Sequence, residues 1–150
     1  MMIERLVNLT VPGPTITPVT KPFWDAIQRH EFVLQRCIDC KRWIFYPRTL
    51  CPHCWSDRLE WEPASGKGRL KTWCVVHRPG HPAWEAVTPF VLGLVELEEG
   101  PTMLSHLLID PAQDLHIDLP LQVHYVKCGD LWLPFFKSIE LLIEDQNPQC

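Results

Sequence analysis

A chain of 150 residues, 46% apolar and 21% charged, can hold one compact core, or a small module joined to a domain of roughly 80 residues, and is too apolar for a disordered tail. Residues 1–11 hold no signal-like apolar run, being interrupted by Glu4, Arg5 and Asn8, and no segment approaches the roughly 20 apolar residues that cross a bilayer, so the sequence reads as cytoplasmic and free of the membrane. The net charge of −4 conceals a division: residues 36–80 carry nine Lys/Arg against four Asp/Glu, whereas residues 81–150 carry two against eleven, a pattern that suits an anionic ligand near the middle or attraction between the two regions.

In chain order, residues 1–20 read as an extended arm, because TVPGPTITPVTKP over 10–22 holds four prolines and cannot sustain a backbone ladder. Phe23, Ile27 and His30 are spaced for one face of a short helix over about 21–31, with Thr20 as its candidate cap; the helical unit is placed at 21–35. A cysteine-paired ribbon follows at 36–63, ending in strand-forming LEWEP, and Ala64 to Gly68 supplies a flexible turn. From there to residue 138 strand signals dominate. Residues 68–77 alternate Leu70, Thr72, Cys74 and Val76 against Arg69, Lys71, Trp73 and Val75. Two hairpins follow, Phe90–Leu97 with Thr102–Ile109 and Leu121–Cys128 with Leu131–Lys137, each with a glycine in its connection. Five antiparallel strands without a helical period predict a closed barrel of the OB type. Residues 139–150 form a tail.

The chemistry concentrates in Cys37, Cys40, Cys51 and Cys54. Two C-x-x-C pairs ten residues apart let four thiolates converge on one ion, and an odd total of seven cysteines without a secretory signal disfavours a disulfide framework. A closed shell of four thiolates suits structural zinc and leaves no position for substrate; the same sulfurs also accept iron. His53, between two of the cysteines, is a spare ligand that a complete sulfur shell does not need.

With these residues in hand, the chain resembles the DUF35 family, OB-fold proteins associated with acyl-CoA that carry an N-terminal rubredoxin-like zinc ribbon. The resemblance runs through FWDAI (23–27), LQRCIDC (34–40), YPRTLCPHC (46–54), LEWEPASGKGRLKTW (59–73), PFVLGLVELEEG (89–100) and LPFFK (133–137). Two positions depart from the family pattern: Lys41 stands where a glycine usually follows the second cysteine, and Asp118 where a glycine usually precedes the fourth barrel strand. The resemblance implies a mainly β protein with an N-terminal helix, a rubredoxin-like zinc ribbon and a five-stranded OB-fold barrel. It also implies a hetero-oligomer: an accessory subunit of a thiolase-like enzyme, thiolase or lipid-transfer-type aldolase, acting on acyl-CoA in the breakdown of steroid side chains or aromatic compounds.

Independent catalysis finds little support in the residues. Cys74 and Cys128 occupy strand positions where a thiol fills core, Cys150 is terminal, and His106 and His124 are expected to project from a sheet face. The segment 78–85 is the candidate ligand loop, since OB-folds bind beside it. His81 and Trp84, next to Lys67, Arg69, Lys71 and Arg78, are candidate contacts for the adenine and phosphates of coenzyme A or for a partner; the alternative is an ordinary loop with Trp84 packed on the barrel. A single-stranded nucleic-acid site would use similar features, but the acidic barrel half opposes a continuous phosphate-tracking groove. Seven tryptophans exceed what a small barrel needs and favour a protein partner.

Overall fold

The arm is held by its apolar residues: Leu6 and Leu9 are buried in a cluster with Val87, Phe90, Val126 and Phe135. The structure, a computed structural model, describes Leu6 and residues 9–113 and 115–139. Cys150 and the tail beyond residue 139 lie outside the described residues.

A proline in the first turn starts helix α1, Lys21–Gln28, whose Phe23, Ala26 and Ile27 form the buried face. Thr20 precedes the helix but does not cap it through its side chain; its Oγ1 turns back to accept from the Thr17 N–H at 2.9 Å. The helix is also shorter than its periodicity suggests. His30 has a φ of 60°, which ends the helix, and its ring stacks on Tyr125 at 4.9 Å instead of extending the helical face. Gln28 fastens the helix to the barrel: its Nε2 donates to the Trp132 carbonyl at 3.1 Å and its Oε1 accepts from the Trp132 N–H at 3.0 Å.

Three strands, β1 (Val33–Cys37), β2 (Trp43–Ile44) and β3 (Leu59–Pro63), form an antiparallel sheet in the order β2-β1-β3, so the ribbon sheet begins within the stretch assigned to the helical unit. Buried Gln35 on β1 holds the loop between the cysteine pairs, accepting from the Arg48 N–H at 2.7 Å and donating to the Arg48 carbonyl at 2.9 Å.

The barrel comprises β4 (Lys67–Val76), β5 (Phe90–Leu97), β6 (Thr102–Leu107), β7 (Pro120–Cys128) and β8 (Leu131–Ser138), closed in the order β4-β5-β6-β8-β7, with a short 3₁₀ helix, Pro82–Val87, between β4 and β5. β6 and β8 meet in parallel at Leu107 and Phe136, while the other neighbours are antiparallel. The five strands and their closure match the sequence expectation, except that the β6–β8 pair is parallel and the alternation along β4 is broken. The register shifts between Leu70 and Thr72, and this bulge reverses the faces: Trp73 and Val75 pack toward the core, while Thr72 and Cys74 are exposed. Cys74 is therefore not a core thiol, whereas Cys128 is buried, which pushes its thiol pKa up.

Phe23, Ile27, Phe32 and Leu34 join Leu70, Val91, Leu121 and Phe136 in one buried cluster, so helix, ribbon and barrel share a core. At the junction Gly66 adopts a φ of 68°, and a Cβ there would lie 2.5 Å from Val123 Cγ1; only glycine fits this approach. Among the described residues no helix is long and apolar enough to cross a membrane.

Candidate functional site

Two features of the fold could hold a ligand: the cysteine cluster and an apolar cavity. The knuckles Cys37–Cys40 and Cys51–Cys54 are built alike. In each, the first cysteine's N–H donates to a carbonyl five residues on, Cys37 to Arg42 at 3.0 Å and Cys51 to Ser56 at 2.8 Å, folding the pair into a tight turn. The four sulfurs lie within 4.8 Å of one another, and the Cys37–Cys54 and Cys40–Cys51 separations are both 3.6 Å. A tetrahedron with metal–sulfur bonds of about 2.3 Å has edges of about 3.8 Å, so the donor set fits zinc. Electrostatics agree. The Cys40 backbone N–H draws the Cys37 thiol down to about 7, whereas at Cys54 the Ser56 N–H is outweighed by desolvation and the three neighbouring sulfurs, which push it up to about 12. Four adjacent thiolates need a cation to ionise together. The ribbon's own apolar cluster is only Ile44 with Cys37 and Cys51, flanked by Cys40 and Leu59, too small to hold the fold. His53 is directed elsewhere, its Nδ1 lying 3.2 Å from an Arg42 guanidinium nitrogen.

The basic residues singled out in the sequence do not form one rim. Lys67, Arg69 and Lys71 are exposed along the first half of β4, while Arg78 follows its far end, on the order of 30 Å from Lys67 along the strand. His81 has a structural duty, its Nδ1 accepting from the Ala83 N–H at 3.1 Å as the cap of the 3₁₀ helix. Trp84 is half-buried against the barrel, 5.8 Å from the Phe90 ring and 5.9 Å from that of His106.

His81 and Trp84 nonetheless belong to a site, an open cavity of about 660 Å³ between α1, the ribbon loop at Phe45–Pro47, the loop after β4, and strands β5, β6 and β8. That volume is typical of a small-molecule pocket. Its walls are apolar, and no Lys, Arg, Asp or Glu is among the lining residues. Among its polar residues His106 is distinguished by its burial without a hydrogen-bond partner. It is 4% exposed, stacked between Phe90 at 4.9 Å and Phe135 at 5.0 Å, and neither ring nitrogen has a hydrogen-bond partner. Burial lowers its pKa to about 4 and keeps it neutral. Leaving each buried nitrogen unsatisfied costs about 1–3 kcal/mol. Sequence reasoning placed His106 on a sheet face without deciding which, because strand alternation leaves its direction open; only the pairing of Leu92 with His106 and the approach of β8 show it enclosed. A second cavity, of about 380 Å³ at the ribbon–barrel junction, brings together Arg42, Arg48, His53 and Glu99, a grouping that no spacing in the sequence announces.

Comparison with known proteins now bears on this arrangement. Residues 24–60 match the model "ChsH2, rubredoxin-like zinc ribbon domain" and residues 61–126 match "ChsH2, C-terminal OB-fold domain". A "DUF35 domain-containing scaffold protein" from Methanocaldococcus jannaschii is 30% identical over 102 residues, which cover 66% of this chain and 71% of that protein. The chain belongs to the DUF35 family. A Thermomonospora curvata protein named "Probable enoyl-CoA hydratase alpha subunit" is 32% identical over 127 residues, 84% of this chain but 39% of that relative, so the chain spans about two fifths of its length. A solved structure described as "Ltp2-ChsH2(DUF35) aldolase" is 31% identical with a TM-score of 0.75, covering 84% of this chain and 98% of the compared one. The DUF35 fold is thus present from helix to last strand, with its four-cysteine ribbon.

Proposed function

We propose that this DUF35 chain is a non-catalytic scaffold subunit of a thiolase-like enzyme, a lipid-transfer-type aldolase or thiolase acting on an acyl-CoA, and that zinc on Cys37, Cys40, Cys51 and Cys54 sets the shape of its docking face. The observation that carries the reading is the apolar surface around the knuckles: Trp55 is 77% exposed, and Leu50, which lines the same cleft, is also exposed. A small protein gains nothing in stability from a tryptophan held in water, whereas such residues anchor interfaces. The likeness to a chain of an aldolase named for two components supports the same assignment.

In this reading the partner supplies the carbon–carbon bond chemistry and the scaffold supplies position. A zinc ion closed by four thiolates holds shape and offers no vacant coordination site. Arg78, exposed and adjacent in sequence to Pro79 and Gly80 of the cavity wall, is the candidate cation for a coenzyme A phosphate at the cavity mouth; Lys67, Arg69 and Lys71 lie away from it along β4. Co-expression with a thiolase-like protein of the lipid-transfer type tests the assignment. The two should co-elute on gel filtration, with the enzyme's activity depending on the complex; separate migration and unchanged activity would refute it.

A further inference from the structure

We propose that the pocket at the ribbon–barrel junction, lined by Arg42, Arg48 and His53, is the charged half of the docking face and receives an aspartate or glutamate side chain of the thiolase-like partner, an assignment that rests on the scaffold reading and adds the chemistry of the contact. The ribbon's four arginines are unevenly matched. Arg36 pairs with Glu62 at 3.2 Å and Arg58 pairs with Asp39, whereas among the described residues no carboxylate lies within ion-pairing distance of Arg42 or Arg48. Both of these arginines are exposed, and both line one pocket of about 380 Å³. The acidic barrel half does not neutralise them. Glu99, the one carboxylate residue in the pocket wall, accepts from the Ser65 N–H at 2.6 Å and forms no ion pair with either arginine.

The pocket is rich in donors. A guanidinium can only donate, so the 3.2 Å contact between Arg42 and His53 makes the Nδ1 of His53 an acceptor and leaves the ring proton on Nε2. An entering carboxylate meets planar guanidinium forks, which bind it through charge-assisted hydrogen bonds about twice as strong as neutral ones. Position identifies where that carboxylate comes from. Arg48 and Pro52 line this pocket and also the neighbouring cleft that holds Leu50 and Trp55, so the cationic hollow and the exposed tryptophan belong to one continuous surface. Tryptophan and arginine are the residues most enriched where binding energy concentrates, and a partner that covers Trp55 brings its own side chains over Arg48. Neither guanidinium holds the loop backbone. The Arg42 carbonyl accepts from the Cys37 N–H, and the Arg48 N–H and carbonyl are bound by Gln35, so truncating either side chain leaves these bonds in place.

The test titrates the full chain into a thiolase-like protein of the lipid-transfer type by calorimetry, at about 50 mM and about 500 mM salt, and repeats it with Arg42→Ala/Arg48→Ala and with Trp55→Ala. Wild-type binding should weaken about tenfold or more across that range. The double arginine variant should bind about 30-fold more weakly at the lower salt and lose most of the salt dependence, whereas Trp55→Ala should weaken the complex and keep it. A double variant that binds as tightly as the wild type, or that keeps the wild-type salt dependence, overturns the proposal and leaves the scaffold reading standing. Failure of the wild-type chain to form a complex defeats the scaffold reading and this inference with it. Saturable binding of inorganic phosphate by the isolated chain, abolished in the double variant while partner affinity is unchanged, assigns the pocket to a small anion and also overturns it. Should the double variant lose metal, the wild type decides: a partner affinity unmoved by salt refutes the proposal.

Discussion

Lys41 and Trp55 occupy the same place in the two cysteine knuckles: each follows the second cysteine of its pair, adopts a φ of 63°, and donates its N–H to the first cysteine's carbonyl, at 3.0 and 2.9 Å. The turn that gathers two sulfurs therefore demands a left-handed residue immediately after it. Neither position has the glycine that would adopt this conformation without a side-chain penalty.

Lys41→Gly should accordingly stabilise the protein. A side chain in the left-handed region costs about 1–2 kcal/mol, and glycine's larger unfolded-state entropy returns about 0.5–1 of it, leaving a gain of roughly 0.5–1 kcal/mol. Asp118, with a φ of 66°, sits at the other departure from the family's glycine pattern, and Asp118→Gly should behave alike. Urea denaturation of each variant measures the change; a loss of stability at both would show that the Lys41 and Asp118 side chains contribute more than the backbone costs.

Removal of one sulfur should have a far larger effect. Structural zinc sites contribute about 10–16 kcal/mol of apparent binding free energy, and the ribbon has almost no core of its own beside Ile44. Cys40→Ser is expected to lose the metal and unfold at least the ribbon, read by metal analysis together with circular dichroism. Retention of a native spectrum in the metal-free variant would show that contacts from Phe32 and Leu34 to the barrel suffice to hold the sheet.

What could be read from the sequence divides along physical lines. The five barrel strands and the four-cysteine cluster were legible because turn residues and ligand spacing are local signals. The bulge at Lys71 was not, since one extra residue reverses every later side chain and leaves no compositional trace; Cys74 moved from expected core to surface for that reason. The helix end at Gln28 was obscured because His30 satisfies a helical spacing while actually packing on Tyr125 and Trp132. The cavity depends on segments as distant as Phe23, Tyr46, His106 and Phe135, which only the tertiary fold brings together.

Gln28 and Trp132 offer a test of that assembly. Their paired hydrogen bonds, side-chain amide to backbone N–H and carbonyl, join α1 to β8. Gln28→Ala should lower stability by about 1–2 kcal/mol, measured by denaturant unfolding, without metal loss. A change below about 0.3 kcal/mol would mean that water replaces both bonds at no cost.

Protonation of His106 should couple stability to pH. Its pKa is about 4 in the folded chain against 6.5 when exposed, so the unfolded state binds the proton more readily. The neutral ring's contribution is complete above about pH 6.5 and is lost progressively as pH falls toward 4, by on the order of 3 kcal/mol. Because the cysteine site also responds to acid, the informative quantity is the difference between wild type and His106→Phe across this window. Stability of the wild type should fall more steeply than that of the variant; parallel curves would show that the ring is solvated rather than buried.

Trp55 separates scaffold function from fold. Its ring is 77% exposed and its backbone, not its indole, makes the knuckle's hydrogen bond to Cys51, so Trp55→Ala should alter the isolated chain's stability by less than about 0.5 kcal/mol and leave its metal content intact. An interface anchor, by contrast, typically costs at least about 2 kcal/mol on truncation, equivalent to roughly a 30-fold weaker complex. Gel filtration and calorimetry against the thiolase-like partner measure that loss. If the variant binds the partner as the wild type does, the knuckle surface is not the docking face, and the partner must be held by another part of the chain; if the variant instead loses metal, Trp55 serves the zinc turn and not the interface.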